Sequence, residues 1–305
     1  MNTNVKKQHY VWRNYLSPWK LNPKEKKIWT YVFETNKVKY ISLMGVAQES
    51  YFYKMYELTP IEILACWNFA KQFPPIIWPI AESLLKGYEA ISNNMMSETD
   101  KRDFSLHVLD NMQTSIEKLG KPLLGCRTLE DLKNIPDKYQ AVNYLCFQYS
   151  RTKKMRENGI QGYKEQNKPL LSELYRKAFP FISIIMATKL GHSIAVANPD
   201  TKYIFVRNES SIPFITCDQP AINTRIDELD DSGNVKAFEL YYSTSPTTAI
   251  MIVFNPQLEE YSEIIADKDF VDDKNKKMCE NALSFIFGNS ENILKKCIFN
   301  NINIT

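Results

Sequence analysis

Four side chains, widely spaced in a chain of 305 residues, carry the polar groups that proton transfer and oxyanion binding require: His9, Gln148, Arg151 and Asp218. His9 is one of three histidines and stands in Lys6-Lys7-Gln8-His9-Tyr10-Val11-Trp12-Arg13-Asn14-Tyr15-Leu16, between basic and aromatic neighbours. An imidazole titrates near neutral pH and serves as acid, base or metal ligand. It serves equally well as an anchor that ties down an N-terminus by one hydrogen bond. Gln148 and Arg151 belong to Gln148-Tyr149-Ser150-Arg151-Thr152-Lys153-Lys154, followed by Arg156. On a helix their three-residue spacing projects an amide and a guanidinium from one face. That pair suits a phosphate or carboxylate, because the planar fork donates two parallel charge-assisted hydrogen bonds. Lys153, Lys154 and Arg156 read as a solvated helix end, favourable near a C-terminal dipole. Asp218 ends an apolar run, Phe214-Ile215-Thr216-Cys217-Asp218-Gln219-Pro220. A carboxylate there orients an imidazole, binds a metal, or closes an Asx-turn. Strand alternation sends Cys217 and Asp218 to opposite faces, so Asp218 is the preferred member of the pair.

The elements that must position these groups are expected to form an α+β fold. Residues 28–34 alternate and are rich in β-branched and aromatic side chains, and Thr35-Asn36-Lys37 turns the chain toward Val38–Leu43, which predicts a hairpin. Thr59-Pro60-Ile61-Glu62 combines an N-cap, a proline at the first helical position and a capping-box glutamate, so a helix runs from Pro60 to about Gln72. Further helices are expected over 78–90, over 102–119 behind a Ser97-x-x-Asp100 cap, over 139–155, and over 170–190 with a kink or break at Pro180. Beyond Thr201, strands are expected at 203–206, 213–217, 237–243 and 249–254 in an antiparallel sheet. A helix over 274–287 and a strand over 293–299 close the chain, and 227–235 reads as a solvated acidic loop. The expectation is one α+β domain over 1–305, with a helical centre at about 59–192 and a strand-rich part at about 200–299. The N-terminal hairpin would complete the C-terminal sheet around one core.

Composition narrows the class. Aromatics at 12% against nine glycines describe a packed chain and argue against disordered or collagen-like classes. A net charge of +3 with a pI near 8.3 permits a phosphate partner but falls short of a dedicated nucleic-acid module. Six cysteines are scattered singly with no CxxC, which leaves no usual zinc pattern and points to reduced thiols and a cytoplasmic location. No apolar segment follows the basic N-terminus as a secretory signal would. The greasiest run, 178–190, is shorter than a bilayer span and contains Pro180 and Lys189, so it reads as a core helix and no membrane partner is expected. No GxGxxG, P-loop, HExxH, GxSxG or deaminase signature occurs. Glu117-Lys118 and Asp131-x-Lys133 match a nuclease D/E-x-K element only as a Lys-rich chain does by chance.

His9-Tyr10-Val11 with Tyr15-Leu16, then Gln148-x-x-Arg151-Thr152, then Thr216-Cys217-Asp218-Gln219-Pro220 resemble the ordered HYVP-x-x-YL, Q-x-x-R-T and T-S-D-x-P elements of the bacterial DUF4238 family, whose function is unknown. Trp12 replaces the family's usual proline and Cys217 its usual serine. Ser245-Pro246 and Asn281 resemble weaker family positions. The resemblance implies one site that draws on His9, Arg151 and Asp218 for chemistry and on Gln148, Tyr15 and Asn281 for substrate. Its polar inventory fits an enzyme acting on phosphodiesters, with nucleic acid or a nucleotide as partner, and by analogy an effector of bacterial defence or a toxin. His9 would transfer a proton, Asp218 would orient it or hold a metal, and Arg151 would neutralise charge on phosphate. A divalent metal is an optional cofactor without a motif of its own. The alternative is a non-enzymatic binding protein in which the same groups form a buried structural network.

Overall fold

A computed structural model describes residues 7–92, 96–233 and 235–301, so Lys6 of the opening motif and Asn234 of the acidic loop lie outside the described residues. The elements in chain order are β1 (Lys7–His9), α1 (Arg13–Leu16), β2 (Lys27–Val32), β3 (Lys37–Ser42), β4 (Gln48–Ser50), α2 (Pro60–Lys71), α3 (Trp78–Ser92), α4 (Glu98–Leu119), α5 (Lys121–Gly125), α6 (Leu129–Lys133), α7 (Lys138–Ser150), α8 (Lys153–Glu165) and α9 (Pro169–His192). They continue with β5 (Thr201–Asn208), β6 (Thr216–Cys217), β7 (Ala221–Asn223), β8 (Glu239–Ser245), β9 (Thr248–Phe254), β10 (Tyr261–Ala266), α10 (Lys268–Asn281), β11 (Phe285–Gly288) and α11 (Glu291–Asn301). This is an α+β fold with a large central helical segment.

Local signals placed the capped helices well. Thr59 and Glu62 form the reciprocal capping box at the start of α2, and Ser97 accepts from the Asp100 amide at the start of α4. The β2–β3 hairpin turns through Asn36 at φ 50°, a left-handed conformation that asparagine tolerates, and the Tyr31 hydroxyl donates to its side chain at 2.6 Å. Pro180 sits inside α9 without ending it. With the turn that follows, 169–197 is a helix long and apolar enough by composition to cross a membrane; here it packs against α7 and α8, and Phe179, Phe181, Ile184 and Ile185 are buried.

The C-terminal part differs from expectation in several places. The five-stranded sheet runs β10-β5-β9-β8-β7, antiparallel except for β10, which lies parallel to β5. The short β9–β10 connection steps over β5, so β9 and β10 run in opposite directions with β5 between them. The hairpin does not extend this sheet: it joins β11 and β6 in a separate antiparallel sheet, β3-β2-β11-β6. The helix expected over 274–287 is shifted, because Asp267 caps α10 and residues 285–288 pair with β2 on one side and β6 on the other. The strand expected over 293–299 is helical, α11, with Ile293, Leu294, Cys297 and Ile298 forming its buried stripe. Only Thr216–Cys217 of the expected 213–217 strand is paired. Residues 227–233 and 235 are exposed, and Leu229 and Val235 form an isolated antiparallel bridge.

Two apolar clusters lie on opposite faces of the five-stranded sheet. Phe205, Tyr242, Ile250 and Ile252 face the helices and the N-terminal aromatics, while Val206, Tyr241, Met251 and Val253 face α10, α11 and the four-stranded sheet. A sheet covered on both faces explains why its strands read as continuous apolar runs.

Candidate functional site

The Gln148-x-x-Arg151-Thr152 motif is a corner between two helices, so the single helix expected over 139–155 is broken. Arg151 is the C-cap of α7 at φ −91°, ψ 12°, and Thr152 turns extended at φ −85°, ψ 162° to become the N-cap of α8, accepting from the Met155 amide. Lys153, Lys154 and Arg156 therefore occupy the first turn of α8, the wrong end for a favourable dipole contact, and they are engaged elsewhere. Lys154 donates to the Asn281 carbonyl at 2.9 Å and to its side-chain oxygen at 3.1 Å, and Asn281 in turn donates to the Lys277 carbonyl. Arg156 forms an ion pair with Glu49 at 2.8 Å, with its guanidinium 4.7 Å from the Phe52 ring centroid.

The Arg151 guanidinium is fully buried. It donates to Gln113 at 2.7 Å, to Glu117 at 2.8 Å and to Gln148 at 3.4 Å, while its Nε has no acceptor. Gln113 and Glu117 lie one turn apart on α4, the spacing that puts both on one face. Because the guanidinium takes each amide oxygen, the amide nitrogens of Gln113 and Gln148 point elsewhere, and they too have no acceptor. Burial raises the Glu117 carboxyl above its usual value even though Arg151 pulls it down. Burial works against the Arg151 charge, but Tyr53 and Glu117 outweigh it and the guanidinium is held more firmly charged than usual.

His9 ends the first strand. It is half-buried in β1, opposite Gln48, and its Nδ1 has no hydrogen-bond partner. Burial first, and then the exposed Arg13 guanidinium, press the imidazole down to about 4, so it is neutral at pH 7. Arg13 also pulls on Glu117, whose side chain is 16% exposed, but more weakly than Arg151 does. No hydrogen bond joins His9 to Arg151 or to Asp218 among the described residues.

Asp218 has other partners. Its two carboxylate oxygens accept from the Leu283 and Ser284 amides at 2.9 and 2.8 Å, clamping the α10–β11 connection. Burial lifts its pKa to about 6 in spite of these donors. The neighbouring Gln219 donates to the Tyr149 and Ala221 carbonyls at 2.8 and 2.9 Å and accepts from the Thr152 hydroxyl. Tyr15 shares a 2.6 Å hydrogen bond with Thr216 and stacks on Tyr242, whose hydroxyl meets that of Tyr144 at 2.9 Å. The three sequence elements thus meet in space: Tyr15 of the first bonds to the third, and Thr152 of the second bonds to the third. Sequence reasoning missed Glu117 and Gln113. The signal was the row Lys101, Ser105, Leu109, Gln113, whose members are all buried although three of the four are polar, and which continues to Glu117 at the same spacing.

The model of a family described as "Protein of unknown function (DUF4238)" matches residues 7–292, from β1 into α11. The chain belongs to the DUF4238 family. No curated protein and no solved structure matches it significantly. In this DUF4238 chain no group of three or more His, Cys, Asp or Glu side chains is placed to hold a metal among the described residues. Its six cysteines form no disulfide and are buried, and burial lifts their thiols, that of Cys66 to about 12 and that of Cys126 to about 11.

Proposed function

We propose that this chain is an enzyme acting on phosphodiesters, in nucleic acid or a nucleotide, with its reacting groups on His9, Arg13 and Glu117. The observations that carry the reading are His9, half-buried with an unpartnered Nδ1 and held neutral, and Glu117, whose side chain reaches solvent while burial raises its carboxyl; the Arg13 guanidinium acts on both. A neutral imidazole accepts a proton at pH 7, a carboxyl of raised pKa is more often protonated and so available as a donor, and a guanidinium balances charge that grows on phosphate oxygens. Arg151 acts in this scheme as a positioning residue: fully buried, it holds Glu117 from behind, with Gln113 and Gln148 fixing the fork. Tyr15, Asp218 and Asn281 support the scaffold. The test incubates purified full-length chain with pooled RNA, DNA and nucleotides, with and without Mg²⁺ or Mn²⁺, beside H9A and E117Q. The expected result is turnover that both variants lose while their circular dichroism is unchanged. Absence of turnover on every substrate by the intact chain sinks the proposal.

A second reading, a structural polar network without catalysis, draws support from Asp218 and Gln219, which spend their polar atoms on protein groups. Under it, H9A and E117Q shift thermal stability and abolish no activity.

A further inference from the structure

A cleft of about 760 Å³ opens between the 51–57 segment, the N-terminal half of α4 and the second turn of α9. It shares no residue with the His9, Arg13 and Glu117 set, so a ligand here is independent of the activity proposed there. Lys54, Lys101, Arg102, Arg176 and Lys177 line it, against the carboxylates Glu57, Glu98 and Glu173. Three of these cations are committed, Lys101 among them: Arg176 bonds Glu173 at 2.9 and 2.6 Å, and Lys177 bonds Glu62 at 2.8 and 2.7 Å. Lys101, almost fully buried, lies 3.5 Å from Glu98, whose side chain is 91% exposed. Arg102 is exposed with no carboxylate partner among the described residues, and Lys54 rests 5.3 Å from the Tyr56 ring centroid.

Two features order the cleft. Tyr56 is flanked by Lys54 and by the Arg176 guanidinium, the latter 5.1 Å from its centroid, and these cation–π contacts hold both cationic heads near the opening. Tyr51, also in the wall, adopts φ 60°, a left-handed backbone that a bulky aromatic residue rarely takes. Strain of this kind persists only where the surroundings over-determine it, and it concentrates at ligand sites. A smaller hollow of about 280 Å³ shares Tyr51, Tyr56 and Arg176 and carries the cationic lining on to Arg156 and Lys164.

We propose that this cleft binds a small phosphorylated ligand of nucleotide size, its phosphates seated against Lys54 and Arg102. The volume falls within the range of small-molecule sites, and cations outnumber carboxylates in its wall, which favours an oxyanion. Held cations lose little freedom on binding, which favours affinity. Isothermal titration of the full-length chain with pyrophosphate and with ADP tests this, in parallel with the double variant K54A/R102A and the control K276A on α10. The expected result is saturable, salt-sensitive binding by the unaltered chain, weakened at least about tenfold in K54A/R102A and unchanged in K276A. Equal affinity for the two probes assigns the site to phosphate groups alone, and tighter binding of ADP adds a ring contact at Tyr51; both support the proposal. No saturable binding of either probe, or equal binding by a folded K54A/R102A, overturns it.

Discussion

Substituting Asp218 by asparagine separates the two acid-sensitive groups of the site through the pH dependence of stability. Burial raises the Asp218 pKa from 3.8 to about 6 in the folded chain. The folded value lies above the unfolded one, so the proton-bound form favours the fold. Its contribution is complete below the unfolded value and is lost as pH rises through the folded one. A shift of roughly two units corresponds to about 3 kcal/mol. His9 works in the opposite direction, because its pKa falls from 6.5 to about 4. Its contribution is present above the unfolded value and is lost as pH falls through the folded one, and partial exposure screens it. The stability curve of the unaltered chain therefore conceals both groups, whereas its difference from D218N isolates Asp218. The amide introduced in D218N mimics the protonated carboxyl at every pH. It keeps one acceptor for the Leu283 or Ser284 amide and loses the other, a pH-independent offset of about 1–2 kcal/mol. Urea midpoints followed by tryptophan fluorescence between about pH 4 and pH 7 should show the unaltered chain losing on the order of 2–3 kcal/mol relative to D218N as pH rises. A flat difference, or one that grows in favour of the unaltered chain with pH, refutes the reasoning that desolvation outweighs the two amide donors.

Three further outcomes are expected. Removing the buried cation in R151M strands the Glu117 carboxylate and the Gln113 oxygen, at a cost of about 3–4 kcal/mol; R151M combined with E117L should recover part of it, and additive urea-unfolding energies would contradict the coupling. T59A removes the capping box of α2 and should cost about 1 kcal/mol, read as a lowered thermal midpoint. At Gly191 an added Cβ would overlap the Asn143 side-chain oxygen, so G191A should cost about 1–3 kcal/mol and N143A should relieve it; an unaffected G191A chain would show that α7 and α9 have slack there.

Elements whose cues lie within one turn are legible in the sequence. The caps at Thr59 and Ser97 and the turn at Asn36 depend on neighbours three to five residues away, and they form as expected. The 293–299 run reads as a strand because a short apolar stretch does not declare its period, although Ile293, Leu294, Cys297 and Ile298 have helical spacing and Ser290 supplies a hydroxyl that accepts from the Ile293 amide. Residues 285–287 read as part of the preceding helix because their partners, β2 and β6, lie far away in sequence. At the site, the spacing of Gln148 and Arg151 is informative, but the break between them and Lys153 is not visible in it: Thr152 at an N-cap competes with continuing the helix.

The sequence by itself determined which polar groups the chain can deploy and where its capped helices begin, since both rest on residue identity and on hydrogen bonds closed within a few residues. Only the tertiary structure decided which groups meet. It turned Asp218 toward the Leu283 and Ser284 amides, placed Glu117 and Gln113 on Arg151, and left His9 half-buried with its Nδ1 unpartnered. The physical reason is desolvation. A charge is inexpensive in water wherever it stands in sequence, but once buried it must find partners, and those partners come from whichever elements the packing brings alongside.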